Sequence, residues 1–244
     1  MKAVCTLRRD IAYRRDAFRE GLEAAGYTLV ERTLKPEPDD LLLIWNRYGI
    51  NDYFANLFEK AGAKVFVTEN GWLGKSWRNA GWFALSKNHH CGAGAWTVGG
   101  PERWDSLNVP LAPWRTEGER IILAQRGIGE PGLASPPEWA ERIRATYGGR
   151  IRKHPGKHAP DISLEEDLKD AGEVITWASG AALKALTMGI PVRAACTKWI
   201  GFGAASAMHE PLKRDDAARL NMFRRLAWAM WTLEEIRTGL PFQR

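Results

Sequence analysis

Cysteine is scarce in this chain of 244 residues, and long hydrophobic runs are missing. The three cysteines, Cys5, Cys91 and Cys196, are far apart in the sequence and form no C-x-x-C pair. This spacing favours reduced thiols in a cytoplasmic protein over disulfides or a zinc site. No apolar run reaches the roughly 18 residues of a membrane-spanning helix, and residues 1–9 lack the apolar core of a secretory signal peptide. We therefore expect a cytoplasmic protein without a membrane span.

Metal-ligand patterns are also missing. His89, His90 and Cys91 are adjacent, but consecutive residues rarely ligate one ion together, and no second pair at ligand spacing accompanies them. The chain also has no internal repeat of fixed period and no low-complexity segment. We therefore predict that no metal is bound.

The remaining composition is that of a globular protein with one large or two small domains. Hydrophobic residues make up 45% and charged residues 26%, which is enough to form a buried core. The net charge of +6 favours an anionic partner. Nucleic acid, a nucleotide and a membrane surface all meet that requirement. The twelve tryptophans are suited to a core or to stacking on sugars and bases.

Hydrophobic patterning in the first half alternates between strands and helices. Strands are predicted at residues 2–6, 27–31, 41–45 and 64–68. Such alternation is typical of a parallel sheet with helices on both faces. Ligands of these sheets bind at the carboxyl ends of the strands. The polar side chains at those ends are Arg8, Arg9, Asn46, Arg47, Glu69 and Asn70.

The second half repeats this alternation after an irregular stretch. Residues 75–116 are rich in glycine, tryptophan and proline, which indicates loops with one short strand and a linker at residues 110–114. Further strands are predicted at residues 120–124, 149–153, 173–177 and 191–195. Residues 213–238 predict a long amphipathic helix or a broken pair of helices, because their apolar residues follow helical spacing.

Two loops in the second half combine basic, small and hydroxyl-bearing residues. One predicted strand ends in Arg152-Lys153-His154-Pro155, and the next runs through Thr176 into Ser179-Gly180 and directly into a helix. Small residues let a ligand approach the backbone, and the N–H groups and dipole of a helix start favour anions. Arg126, at the end of another predicted strand, adds a guanidinium suited to phosphate. The pattern predicts a diphosphate site.

With these motifs the chain resembles the glycosyltransferases of the capsule-polysaccharide and bacterial sialyltransferase type. That group carries an HP motif and a Ser/Thr-rich turn in its C-terminal half, and an acidic motif in its N-terminal half. The matching residues here are His154-Pro155, Thr176 with Ser179-Gly180, and Glu69-Asn70-Gly71. The resemblance implies an α/β fold of the GT-B type, with two Rossmann-like halves, a cleft between them and a C-terminal helix that packs back. A single flavodoxin-like sheet with insertions is the alternative.

The resemblance also implies domains and residue roles. The domains would be residues 1–113 for the acceptor, residues 114–212 for the nucleotide sugar, and a helical segment at residues 213–244. Catalytic roles fall to Glu69 as general base and to His154. Donor-binding residues would be Arg126, Arg152, Lys153, His154, Pro155, Thr176, Ser179 and Gly180. Acceptor-binding residues would be Arg8, Arg9, Asn46, Arg47, Asn70 and Trp72. The alternatives are a helix N-cap or a salt bridge for Glu69, a structural histidine beside a turn proline for His154, an ordinary N-cap for Ser179 and a solvated helix face for Arg8 and Arg9.

Three segments bear on the acceptor. Residues 46–48, 69–74 and 231–239 resemble small phage-encoded glycosyltransferases, some of which are thought to decorate hydroxymethylated pyrimidines in DNA. This implies a DNA-binding enzyme of the host cytoplasm that acts on a base such as 5-hydroxymethylcytosine. The donor would be a nucleotide sugar such as UDP-glucose, used as co-substrate without a further cofactor. Transfer to a capsule or lipopolysaccharide glycan, and a non-catalytic nucleic-acid-binding module, are the alternatives.

The chain departs from the pattern of these families at two positions. Lys184 stands where many nucleotide-sugar transferases place a ribose-binding glutamate, and Asn70 replaces the second acid of the acidic motif. These departures leave the donor nucleotide and sugar open. The D-x-D motif, which binds Mn²⁺ or Mg²⁺ in the other large glycosyltransferase architecture, is missing from the sequence. A metal-independent reaction is therefore expected.

Overall fold

The computed structural model describes residues 1–72, 81–89, 93–127, 133–155 and 162–243. Contacts within the chain divide it into two units. The first unit comprises residues 1–90, 94–99 and 228–244, and the second comprises residues 91–93 and 100–227. Within the described residues, the first unit contains a sheet of six strands and the second a sheet of four.

The secondary structure follows the predicted alternation along most of the chain. In order, the elements are β1 (Lys2–Cys5), α1 (Ala12–Ala24), β2 (Thr28–Val30), β3 (Leu41–Trp45), α2 (Ile50–Lys60), β4 (Lys64–Asn70), β5 (Trp82–Lys87), α3 (Glu102–Leu107), β6 (Glu119–Leu123), α4 (Trp139–Tyr147), β7 (Arg150–Arg152), α5 (Leu164–Asp167), β8 (Ala171–Thr176), α6 (Ala181–Thr187), β9 (Val192–Ala194), a 3-10 helix (Ile200–Ala204), α7 (Asp216–Ala227), β10 (Met230–Thr232), α8 (Leu233–Arg237) and α9 (Leu240–Gln243).

The sheet of the first unit has the strand order β10-β5-β4-β3-β1-β2. Strands β1 to β4 are parallel, and β5 is antiparallel to both of its neighbours. The chain moves outward from β1 to β2 and then places β3 on the other side of β1, so the topological switch point lies between β1 and β3. The carboxyl ends of β1 to β4 therefore form the edge where a ligand is expected.

The central strand β3 shows why this unit forms a buried parallel sheet. Leu41 and Leu43 pack on one face with residues of α1 and the C-terminal helices, and Leu42 and Ile44 pack on the other face with residues of α2. All four side chains are fully buried. A strand covered on both faces needs an unbroken apolar run. The prediction of a buried parallel strand here is confirmed.

The C-terminal segment differs from its prediction. Helix α7 ends at Ala227, and Met230–Thr232 then forms β10 against β5. A capping box restarts the helix: the N–H of Glu235 donates to the hydroxyl of Thr232 at 3.2 Å, and the Glu235 carboxylate accepts the N–H of Thr232 at 2.8 Å. The prediction of one long helix is therefore wrong, because the edge of β5 offers Met230–Thr232 a strand partner. The alternative, a broken pair of helices, agrees with α7 and α8, although the strand between them was not predicted.

Helices α8 and α9 pack back onto α1. A Cβ atom on Gly21 would lie 1.9 Å from the carbonyl oxygen of Ile236, so α1 and α8 touch through their backbones at this glycine. The rings of Phe18 and Phe242 meet edge to face, with centroids 6.4 Å apart. The expectation that the C-terminal residues pack back is confirmed within the first unit.

The sheet of the second unit has the strand order β7-β6-β8-β9, and all of its strands are parallel. Here too the chain moves outward from the first strand, β6 to β7, and then places β8 on the other side of β6. The switch point lies between β6 and β8. The loops after β6, β7 and β8 therefore share one edge of the sheet.

The core of the second unit combines apolar packing with one buried acid. Ile122 and Ile175 pack against Trp139 of α4. Glu173 in β8 is 7% exposed, and its carboxylate pairs with Arg120 and Arg193 at 2.7 Å each. A buried charge is stable only when it is paired, so these pairs join the neighbouring strands β6, β8 and β9.

Helix α7 completes the second unit. The ring of Phe223 stacks on Trp104 of α3 with centroids 4.7 Å apart. Arg219 is 3% exposed, donates to the carbonyl of Ala112 at 2.8 Å and lies over the ring of Trp114. The predicted linker at residues 110–114 is therefore held within this unit.

The predicted α/β fold of the GT-B class is confirmed, with one mixed and one all-parallel sheet where the alternative had a single sheet. Strand β5 is the short strand expected among residues 75–116. Helix α3 was not predicted, because six residues are too few for a periodic signal. The functional domain ranges 1–113, 114–212 and 213–244 stay predictions. In the parts of the chain that the structure describes, no helix combines the length and apolarity that crossing a membrane requires.

Candidate active site

In the second unit a hydrogen bond joins the two loops at the switch point. Gln125 follows β6, and its side-chain oxygen accepts the backbone N–H of Ala178, in the loop after β8, at 2.7 Å. Ala178 is 5% exposed, so its N–H needs a partner within the protein. The bond holds the loop that carries Arg126 beside the loop that carries Ser179.

The turn from β8 into α6 uses much of its hydrogen-bonding capacity internally. The N–H of Ser179 donates to the Thr176 hydroxyl at 2.9 Å, and the N–H of Ala181 donates to the Ser179 hydroxyl at 3.2 Å. Thr176 is fully buried, so it shapes the turn from within. The turn offers a ligand the Ser179 hydroxyl, which can still donate, and the exposed backbone of Gly180.

His154 and Arg126 lie close enough for their charges to interact. They follow β7 and β6, which are neighbours in the sheet, and both side chains are exposed. Partial burial and the positive charge of Arg126 lower the pKa of His154 below its ordinary value. An anion bound between these two groups would raise that pKa and favour the protonated imidazole.

The two basic residues at the end of β7 have different surroundings. Arg152 forms an ion pair with Asp167, and its side chain is 14% exposed. Asp167 also pairs with Arg150 at 2.6 Å. Burial acts to raise the pKa of Asp167, but the hydrogen bonds from both arginines bring it below its ordinary value. The guanidinium of Arg152 is therefore occupied by Asp167 and is not directed to a ligand. Lys153 and Pro155 are exposed at the carboxyl edge of the sheet.

Lys184 has a carboxylate partner in α5. Its ammonium group lies 3.0 Å from the carboxylate of Glu165. The hydrogen bond from Lys184 lowers the pKa of Glu165. This ion pair joins α5 and α6.

In the first unit, Glu69 and Asn70 end β4 at the carboxyl edge of the sheet. Glu69 is half-buried and Asn70 is exposed. Because β4 is parallel to β3, the end of β4 lies at the same edge as the loop of Asn46 and Arg47. A half-buried carboxylate at such an edge is suited to accept a proton from a ligand hydroxyl.

The turn after β4 is tightly packed. The N–H of Gly71 donates to the carbonyl of Trp82 at 2.9 Å, and a Cβ at position 71 would lie 2.8 Å from the Cβ of Trp82. Only glycine fits there. The half-buried ring of Trp72 packs against Trp96, with centroids 6.1 Å apart. Residues 73–80, which follow Trp72, lie outside the described residues.

Arg47 is buried, with 6% of its surface exposed, and its guanidinium is fully engaged. It donates to Asp52 at 2.8 Å, to Glu59 at 2.6 and 2.7 Å, to Asn56 at 3.0 Å and to the carbonyl of Asn88. The hydrogen bonds that Arg47 donates to Glu59 and Asp52 raise the pKa of Arg47 above its ordinary value. These contacts hold the loop after β3 against α2. They favour a structural role for Arg47 over the predicted acceptor contact.

Asn46 shapes the same loop through its backbone. Its φ of 62° is left-handed, a conformation that asparagine tolerates better than most residues. The side-chain amide of Asn51 donates to the carbonyl of Asn46 at 3.3 Å, and the hydroxyl of Thr6 donates to the amide oxygen of Asn51 at 3.3 Å. The loops after β1 and β3 are thus joined across the switch point of the first unit.

Arg8 and Arg9 lie on the surface after β1. Arg8 pairs with Asp10, and Arg9 pairs with Glu31 at 2.6 Å. Their side chains are 72% and 74% exposed, so solvent screens both pairs and each contributes little to stability. Both arginines can exchange their partners for a ligand at little cost.

Sequence reasoning missed two features of the second unit. The first is the structural role of Gln125, which no local pattern signals. The second is the run Gly127-x-Gly129-x-x-Gly132 after β6, which has the spacing of a phosphate-binding glycine-rich turn. Gly127 has a left-handed φ of 66°, and residues 128–132 lie outside the described residues. Helix α4 begins at Trp139 rather than at the third glycine, so the run departs from the dinucleotide-binding fingerprint.

Metal ligands were predicted to be missing. Across the described ranges, no three histidine, cysteine, aspartate or glutamate side chains are grouped to hold a metal ion. His89 is buried, and its sequence neighbours His90 and Cys91 lie outside those ranges. A metal-free site stays a prediction.

No protein-family model matches the sequence, and no curated protein matches it. Solved structures do match. One match is KpsC of Thermosulfurimonas dismutans, named as a beta Kdo 2,7 transferase. It is 13% identical to this chain with a TM-score of 0.55, and the match covers 99% of each chain. The beta Kdo 2,4 transferase of the same KpsC is 14% identical with a TM-score of 0.57, over 92% of this chain and 90% of that one. At these identities the likeness shows a shared fold.

Proposed function

We propose that the protein is a glycosyltransferase that moves a sugar from a nucleotide-sugar donor to a hydroxyl acceptor. The observation that carries this proposal is the carboxyl edge of the second unit. Arg126, His154 and Ser179 follow three neighbouring parallel strands there, and the bond between Gln125 and Ala178 holds two of these loops together. The names of the solved structures with this fold, both Kdo transferases, support the reaction class.

In the proposed reaction the acceptor oxygen bonds to the anomeric carbon while the bond from that carbon to the donor phosphate breaks. The nucleotide leaves with the electron pair and gains negative charge. We assign Arg126 and Lys153 to offset that charge, because both are exposed cations at the edge. His154 donates a hydrogen bond to the phosphate or protonates the leaving oxygen, and the Ser179 hydroxyl donates a second bond.

The acceptor hydroxyl loses its proton in the same reaction. We assign Glu69 as the base that takes the proton, since its carboxylate is half-buried at the end of a strand. Asn70 and Trp72 follow it directly, and we assign them to the acceptor as an amide hydrogen-bonding group and an aromatic face. No step in this assignment requires a metal ion, so the transfer is expected to continue in EDTA.

Two acceptor classes are supported by different observations. The names of the solved structures support a glycan hydroxyl. The net charge of +6 and the exposed Arg8 and Arg9 support a 5-hydroxymethylpyrimidine in DNA. Because the glycan is supported by two matching structures and DNA only by surface charge, we give the glycan precedence.

A nucleotide-release assay tests the proposal. The protein is incubated with CMP-, UDP- and GDP-sugars, together with acidic and neutral oligosaccharides or hydroxymethylated DNA, with and without EDTA. We expect one donor class to release nucleotide in both conditions. Glu69→Gln should lower kcat about 10²-fold or more with the KM for donor unchanged. His154→Ala and Ser179→Ala should each raise that KM about tenfold.

Arg144→Gln is the matched control. Arg144 is exposed on α4, so the substitution removes one positive charge from the second unit and leaves the carboxyl edge of the sheet unchanged. Its kinetics should equal those of the wild type. The proposal fails if no donor turns over. It also fails if Glu69→Gln and His154→Ala leave the release undiminished.

A further inference from the structure

A cavity of about 320 Å³ lies in the first unit, where the chain leaves β1 and β2. This volume is at the lower end of the range for small-molecule sites, which begins near roughly 300 Å³. Four arginines and one glutamate are among its lining residues: Arg8, Arg9, Arg15, Arg32 and Glu31. The cavity therefore has an excess of positive charge.

Within the described ranges, two of these four arginines have carboxylate partners. Arg8 pairs with Asp10 and Arg9 with Glu31. Among the described residues, Arg15 and Arg32 have no carboxylate within ion-pair distance. Two guanidinium groups are thus left to attract an anion into the cavity.

Arg15 brings a polar atom that requires an acceptor. It lies in the first turn of α1, and its Nε is buried without a hydrogen-bond partner in the described part of the chain. Native proteins seldom leave such a group without a partner from the protein, water or a ligand, so this Nε is suited to donate to a bound anion. Arg32 also lines the cavity, with its guanidinium carbon 5.5 Å from the centre of the Phe54 ring.

The thiol in the lining adds no negative charge. Burial raises the pKa of Cys5, although the charges of Arg15, Arg19 and Arg14 act to lower it. The thiol is therefore neutral near pH 7. The positive field of these arginines remains uncompensated by the cysteine.

We propose that this cavity binds the carboxylate of an acidic sugar, and that the acceptor of the transfer is consequently an acidic glycan. The second statement rests on the proposed function. A guanidinium binds a carboxylate through two parallel hydrogen bonds. The cavity encloses a volume suited to a single sugar ring, whereas a nucleic acid presents its phosphates along a continuous track.

Glu69 lies on the same edge of the sheet as the cavity. Strands β4, β3 and β1 are consecutive in the sheet, and neighbouring strands are about 4.8 Å apart, so the end of β4 is about 10 Å from the end of β1. This span exceeds one monosaccharide. The carboxylate in the cavity therefore belongs to a sugar unit other than the one whose hydroxyl reacts at Glu69.

Calorimetric titration of the full chain, without donor, tests the cavity. The probes are methyl glucuronide, methyl N-acetylneuraminide, the neutral methyl ester of methyl glucuronide, inorganic phosphate and a short DNA duplex. We expect the two acids to bind, and the ester to bind at least about tenfold more weakly than the acids. Arg15→Gln and Arg32→Gln should each weaken acid binding about tenfold. Lys60→Gln, an exposed charge of the same unit outside the cavity, should stay within about twofold of the wild type.

A second measurement follows Cys5 directly. Bound acidic sugar should slow the alkylation of Cys5 by iodoacetamide, read from the mass of the peptide that contains it, and Arg32→Gln should abolish this protection. Arg32 is exposed, so this variant is expected to fold even if Arg15→Gln does not.

Equal binding of the acid and its ester overturns the proposal, as does unchanged binding in both arginine variants. The proposal is also overturned if phosphate or the DNA duplex binds more tightly than the acids and this binding is lost in Arg32→Gln, because the cavity is then a phosphate site. If the acids bind but no sugar is transferred, the proposed cavity stands and the proposed transferase function fails. If sugar is transferred to neutral glycans but the acids do not bind, the transferase function stands and the proposed cavity fails.

Discussion

The side-chain oxygen of Gln125 accepts the backbone N–H of Ala178 at 2.7 Å, and this bond joins the loops after β6 and β8. In the first unit, Thr6 and Asn51 form the corresponding link between the loops after β1 and β3. Each switch point is therefore closed by a side-chain bond. The polar groups on either side of it are held at a fixed separation, which a binding site needs if its contacts are to act together.

Gln125→Ala tests the link in the second unit. Because Ala178 is buried, the change leaves its N–H without an acceptor and should lower the free energy of unfolding by about 1–3 kcal/mol. Gln125→Glu retains an acceptor oxygen and should recover most of that stability in urea unfolding. The added negative charge should nevertheless weaken nucleotide binding beside Arg126. Equal stability of the alanine variant and the wild type would contradict the role of the bond.

Arg47→Met tests whether Arg47 supports the fold or binds the acceptor. Removing the guanidinium leaves Asp52 and Glu59 without their partner, and both are partly exposed, so we expect a loss of about 2–4 kcal/mol in the free energy of unfolding. Arg47→Lys keeps the charge but loses the forked geometry, and its stability should be intermediate. A higher KM for acceptor with unchanged unfolding would instead support the acceptor contact that the sequence predicts.

The pKa of His154 should depend on Arg126. The positive charge of Arg126 helps to hold this pKa below its ordinary value of about 6.5, so Arg126→Gln should move it upward. The imidazole signals in an NMR titration, with the His154 signal identified by its loss in His154→Ala, measure this directly. Arg144→Gln should leave the midpoint unchanged. A midpoint that stays or falls in Arg126→Gln would show that the two groups do not interact.

Asp167 should contribute stability that depends on pH. Its pKa is lowered in the folded protein, so this contribution is present above the unfolded pKa of about 3.9 and is lost as pH falls through the folded pKa. At neutral pH, Asp167→Asn should lower the free energy of unfolding by about 2 kcal/mol, because Arg150 and Arg152 lose a shared carboxylate. The difference between variant and wild type should shrink below about pH 4. A difference that is constant across this range in urea unfolding would contradict the assignment.

Much of the architecture could be predicted, because it depends on local patterns. The run of Leu41–Trp45 is apolar throughout, and parallel strands covered on both faces require such runs. The same patterns predict that Glu69 lies at the end of a strand and that His154 and Ser179 follow strands. Strand β10 could not be predicted in this way, because its partner β5 lies far away in the sequence and only that pairing makes Met230–Thr232 a strand.

The interaction partners of individual side chains could not be predicted either. Arg47 and Lys153 both follow a strand, yet one is buried among acids of α2 and the other is exposed. Alternation along β7 indicates that Arg152 and Lys153 point in opposite directions. This alternation does not indicate that Asp167 lies on the face of the strand to which Arg152 points. Such pairings depend on where separate elements meet in the folded chain.

Sugar transfer itself is tested most directly by the mass of the acceptor. An oligosaccharide that carries an acidic sugar is incubated with the protein and each nucleotide sugar in turn, and its mass is followed over time. We predict an increase of one sugar residue with one donor class, at a rate that falls about 10²-fold or more in Glu69→Gln. An acceptor mass that stays unchanged with every donor, or that increases equally fast in Glu69→Gln, would contradict the account.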